Sequence, residues 1–158
     1  MSFGFEDATG ATLEEVLALT EPFWGRKTHL LSAHYRYDAD RSLEAIEEMV
    51  QIAKKTEIPF LISHLSSCSA FGMMEEALTM IRNYIKDGVD LAVDAYPYAA
   101  FSTLIGSDVF EDGCLERWGV DYDAIELTEA PYENMRCTKE IFYDARENYP
   151  EMIAIAHV

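Results

Sequence analysis

Basic residues are scarce. The 158 residues hold 12 Lys and Arg against 29 Asp and Glu, a formal net charge of −17 at pH 7. Phosphate recognition needs clustered Lys and Arg, so this balance disfavours nucleic acid and anionic membranes as partners and serves mainly solubility. Cysteine is also sparse: Cys68, Cys114 and Cys137 form no CxxC pair. An odd count without framework spacing disfavours disulfides and points to a reducing, cytoplasmic setting. No apolar run approaches the roughly 18 residues of a membrane helix. Met1 to Asp7 is too short and too acidic for a secretory leader. The chain lacks GxGxxG, GxxxxGK[ST] and GxSxG, so nucleotide binding and nucleophile-elbow hydrolysis have no support.

What is present suits a folded domain. Apolar residues make up 49% of the chain, an ordinary share for a globular protein. Thr12 followed three residues later by Glu15 is a capping box, and it predicts a helix over residues 12 to 20. Leu43, Ile46, Met49, Val50 and Ala53 fall on one helical face within 41 to 56, and Met74, Ala77, Leu78, Ile81 and Ile85 on another within 73 to 87. Short apolar runs lie between them: His29 to His34, Pro59 to His64 and Asp90 to Asp94. Continuous apolar strands joined by helices predict an α/β fold with parallel pairing and right-handed crossovers.

His34, His64 and Asp94 each end one of these strands, 30 residues apart. Equal β/α units would set the three side by side on the rim where such folds bind ligands. Neutral imidazole is the commonest nitrogen ligand of zinc, so His34 and His64 are the candidate metal ligands. The plain alternative for each is a hydrogen-bonded histidine closing a strand. Asp94 is a candidate for orienting a ligand or acting as a base, or simply for capping a loop. Arg36 suits a substrate carboxylate, with pairing to Asp38 or Asp40 as its structural alternative. Tyr96 and Tyr98 flank Pro97 and are candidates for substrate contact. Cys68 is a weak further ligand candidate. His29, at the opposite strand end, reads as structural.

Beyond Leu104 the periodicity dissolves. Residues 106 to 134 hold nine acids and one base, Arg117. The expectation is a partial β/α segment over 1–104, an irregular acidic lobe over 105–150, and a further strand beginning within 151–158 and cut short. A last helix is expected over Thr138 to Asn148.

Three stretches together carry a resemblance: SFGFEDATGAT, then SAHYRYDADRSLEAIEEMVQIAKKTEIPFLISHL, then EEALTMIRNYIKDGVDLAVDAYPYAAFSTL. The H-x-R and ISHL pieces followed by D-x-YPY resemble the D-aminoacylases (N-acyl-D-amino-acid deacylases) of the amidohydrolase superfamily. The resemblance implies an incomplete part of a (β/α)₈ TIM barrel with an acidic insertion. It implies His34 and His64 as metal ligands on the fifth and sixth strands and zinc or a similar divalent metal in the full-length enzyme, with the metal absent from this chain as an open case. It implies a small-molecule N-acyl amino acid as substrate. The first-strand HxH, a bridging Cys and the catalytic Asp of the eighth strand are absent here. Ser66 stands where many members have Lys. No catalytic base is therefore expected in this stretch, which should be inactive alone and should either form a homo-oligomer or belong to a longer chain. Two other readings remain open: a non-catalytic α/β binding or assembly module, and a cyclic amidase of the dihydroorotase or hydantoinase kind.

Overall fold

The computed structural model describes residues 2–3, 11–69 and 72–158. They form two compact units, Met1–Tyr96 and Pro97–Val158.

The first unit is a four-stranded parallel sheet in the order β1 (Ser2–Phe3), β2 (Leu31–Ala33), β3 (Phe60–Ile62), β4 (Leu91–Val93). The first strand is Ser2–Phe3, and residues 4 to 10 lie outside the described residues. Helix α1 (Leu13–Thr20) starts at the capping box: the Glu15 amide donates to Thr12 Oγ1 at 3.2 Å and the Thr12 amide to Glu15 Oε2 at 2.7 Å. Helices α2 (Ser42–Thr56) and α4 (Met74–Lys86) are the crossovers, and the short α3 (Leu65–Ser69) follows β3.

Side chains alternate across a strand, so each strand offers two faces. Leu31, Ala33, Phe60, Ile62 and Leu91 share one core with Ile46, Met49, Val50 and Ala53 of α2 and with Ala77 and Ile81 of α4. Ser32 and Leu61, on the opposite face, are half-buried, and Ala92 is exposed. β4 is an edge strand among the described residues, and Val93 is 39% exposed there.

The register departs from equal repeats. Leu31 pairs with Phe60, an offset of 29, whereas Phe60 pairs with Leu91, an offset of 31. Continuing the ladder sets His34 beside Ser63 and Asp94, with His64 one residue beyond. The 30-residue spacing thus averages two unequal units and does not place the three residues at equivalent strand positions.

The second unit differs from the expected irregular lobe. It is an antiparallel sheet in the order β5 (Phe101–Leu104), β8 (Ile153–Ala156), β6 (Ile125–Leu127), β7 (Met135–Arg136), with α5 (Cys114–Trp118) and α6 (Lys139–Asn148). The closing apolar run, expected as a further strand, is β8, interior to this antiparallel sheet. The boundary falls after Tyr96, not after Leu104. The core of this unit is aromatic, with Phe110 edge-on to Trp118 and to Phe142 at centroid distances of 5.9 and 6.1 Å. Cys114 and Cys137 are buried, and burial pushes the Cys137 thiol up to about 11.

Candidate metal centre

His34 follows β2 directly, and His64 follows β3 after Ser63. An extended chain would send His64 to the opposite face of the sheet from His34. His64 instead has φ +38°, in the left-handed region that non-glycine residues rarely enter. The chain turns there, and Nε2 of His64 comes to 2.9 Å from Nδ1 of His34, with ring centroids 4.3 Å apart.

Asp94 clamps this turn from the neighbouring strand. Its Oδ1 accepts the His64 backbone N–H, and its backbone carbonyl accepts the Leu65 N–H at 2.9 Å. The Ser63 hydroxyl approaches the same carboxylate oxygen at 3.5 Å. Asp94 therefore engages the backbone of the histidine-bearing turn. A charged acceptor on an otherwise unbonded amide is a strong way to hold an unfavourable backbone angle.

The ring of His64 has a second partner. Its Nδ1 lies 2.5 Å from Ser67 Oγ, and that hydroxyl donates to the His64 carbonyl at 2.9 Å. Ser67 sits on α3, three residues on, and carried no sequence signal beyond being a serine in a polar loop. Burial pushes the His34 imidazole down to about 4, and the neighbouring His64 adds to this. His34 is therefore neutral, as a metal ligand must be.

Two nitrogens on one zinc can be no more than about 4 Å apart, given zinc–nitrogen bonds of about 2.0–2.1 Å. The His34–His64 separation satisfies that limit. They could supply two of the three or four ligands that a protein zinc site uses. Among the described residues no third His, Cys, Asp or Glu completes a metal-holding group. The Cys68 side chain lies outside the described residues.

The other candidates stand elsewhere. Arg36 pairs in bidentate fashion with Glu48 of α2, at 2.9 and 3.0 Å, and donates to the Ala11 carbonyl at 2.7 Å. Its side chain is 16% exposed. The pair forms part of the wall of a cavity of about 280 Å³ that is also lined by Tyr37 and Glu44. Tyr96 is half-buried at the end of the first unit, and Tyr98, in the second, is 74% exposed. His29 stacks near Phe23 at a centroid distance of 5.3 Å and has Nδ1 3.2 Å from the Thr28 hydroxyl. No described helix is long and apolar enough to cross a membrane.

Known proteins share this stretch. No protein-family model matches the chain. Over 106 residues it is 29% identical to a D-aminoacylase from Alcaligenes xylosoxydans xylosoxydans, a match covering 66% of this chain and 22% of the relative. Its fold is similar to that of N-acyl-D-glutamate deacylase from Bordetella bronchiseptica, whose crystal structure holds zinc and a phosphonate mimic of the tetrahedral intermediate. The TM-score is 0.70 at 24% identity, over 95% of this chain and 32% of that one. It is equally similar to the crystal structure of a D-aminoacylase that defines a novel subset of amidohydrolases, with TM-score 0.71, 24% identity and the same coverage. The chain resembles D-aminoacylases and spans between a fifth and a third of their length.

Proposed function

We propose that this chain is the part of a zinc-dependent amidohydrolase barrel that supplies two of its metal ligands, in an enzyme that hydrolyses the amide of N-acyl-D-amino acids. The observation that carries the reading is the convergence of His34 Nδ1 and His64 Nε2 at adjoining parallel strand ends. The likeness to D-aminoacylases over the same residues supports it.

In this reading His34 and His64 hold the metal. Bound zinc supplies a Lewis acid for the scissile carbonyl and lowers the pKa of water toward neutrality. Asp94 fixes the turn that presents His64. Burial keeps His34 neutral, so the ring needs no deprotonation at neutral pH. Arg36, engaged by Glu48, braces the loop after β2 against α2, and Tyr96 is the aromatic candidate for substrate contact. The general base and the remaining ligands come from outside the described residues of this chain.

The test compares the 158-residue chain with the longer protein that contains it, both supplied with zinc. The longer protein should release amino acid from N-acetyl-D-amino acids and lose that activity on His64→Ala. The chain alone should release none above background. Hydrolysis of hydantoins or dihydroorotate in place of linear amides would overturn the substrate class. Turnover by the 158-residue chain alone, abolished by His64→Ala, would overturn its role as a partial site.

A further inference from the structure

We infer that Ser67 is a positioning residue for His64: its hydroxyl keeps the ring proton on Nδ1 and so leaves Nε2 bare as the metal-binding atom. This rests on the reading of His34 and His64 as ligands of one metal.

A serine hydroxyl has one proton and two lone pairs. The Ser67 hydroxyl lies 2.9 Å from the His64 carbonyl, which can only accept and also takes the Ser67 amide at 2.9 Å, and we assign the hydroxyl proton to that carbonyl. Toward His64 Nδ1, at 2.5 Å, the oxygen can then offer only a lone pair. Nδ1 must be the donor, and a neutral imidazole that carries its proton on Nδ1 has none on Nε2. That bare nitrogen is the atom 2.9 Å from His34 Nδ1. His34 Nδ1 donates across this gap; to hold a metal through Nδ1, the neutral His34 ring would carry its one proton on Nε2 instead, while His64 would keep its proton on Nδ1. Ligand histidines are commonly fixed by a carboxylate or backbone carbonyl on the other ring nitrogen. Here Asp94 is occupied with the backbone of the turn, and the serine hydroxyl takes that part.

The experiment is long-range ¹H–¹⁵N correlation NMR on the histidine-labelled chain, first without metal and then in a zinc titration. It is repeated on Ser67→Ala and on Ser67→Thr, which keeps the hydroxyl. Wild type should show a protonated, pyrrole-type Nδ1 and a pyridine-type Nε2 at His64. Ser67→Ala should move the ring toward the Nε2–H form and weaken zinc binding by about 10–100-fold, the range for losing such a partner. Ser67→Thr should restore both. An Nε2–H tautomer in wild type, or an unchanged tautomer in a folded Ser67→Ala chain, would overturn the inference. A wild-type chain with the Nδ1–H tautomer that takes no zinc at either histidine would contradict the metal reading and leave the proton placement standing.

Discussion

His34 and His64 meet across 2.9 Å although the sheet register, continued one residue past Ala33–Ile62, sets His34 beside Ser63. The extra residue is absorbed by the left-handed turn at His64, and the Asp94 side chain and carbonyl hold that turn. Asp94→Ala should therefore release His64 and cost about 1–2 kcal/mol, the scale of losing a side-chain cap on a backbone amide. Asp94→Asn, which keeps an acceptor oxygen, should cost less. Urea unfolding gives the stability, and the His64 amide exchange rate reports the turn. Equal exchange in wild type and Asp94→Ala would show that Asp94 does not hold it.

Much of the first unit was legible in the sequence because helical and apolar periods are local. The capping box at Thr12 and the apolar face of α2 are decided by residues three and four apart. The meeting of His34 and His64 was legible too, although the route was different: equal spacing suggested equal positions, whereas unequal units and one left-handed residue produce the contact. A positive φ on a histidine leaves no mark in the sequence. The pairing of Arg36 with Glu48 was hidden because the two are 12 residues apart on different elements, whereas sequence proximity pointed to Asp38 and Asp40. The antiparallel sheet was illegible for a related reason. Its pairing is long-range, β5 with β8 about 50 residues later, and no local period in the sequence marks such a partner.

Arg36 and Glu48 should behave as one unit. Each single alanine substitution leaves a largely buried partner with lost charged hydrogen bonds, so each should destabilise the chain by about 1–3 kcal/mol. The double variant should cost clearly less than the sum. Full additivity in a double-mutant cycle by urea denaturation would show that the pair does not couple.

Gly106 in the second unit has no room for a side chain. A Cβ there would stand 2.5 Å from Cβ, 2.8 Å from the carbonyl oxygen and 2.9 Å from Cα of Pro150. The Gly106 amide also donates to the Pro150 carbonyl at 2.9 Å, so the two backbones cannot separate without losing that bond. Gly106→Ala should destabilise this unit by about 1–3 kcal/mol, as overpacking does. A thermal midpoint unchanged from wild type would mean that the Pro150 segment yields freely.

The folded chain should resist protonation of His34, whose pKa falls from 6.5 to about 4 mainly through burial. Between those values the unfolded chain carries the proton and the folded chain does not. Stability should fall as pH drops through that window and should gain nothing from His34 above it. The many carboxylates titrate in part of the same range, so the readout is the difference between wild type and His34→Gln, together with the His34 imidazole shift followed by NMR. A midpoint near 6.5 would show that the ring is not desolvated.

The central claim is that His34 and His64 hold one ion. Crystals of the chain soaked in zinc and measured at the zinc absorption edge test it most directly. The account predicts an anomalous peak about 2.0–2.1 Å from both His34 Nδ1 and His64 Nε2, with Nδ1 of His64 still on Ser67. A well-occupied peak at other residues, with the two imidazoles still hydrogen-bonded to each other, would contradict it.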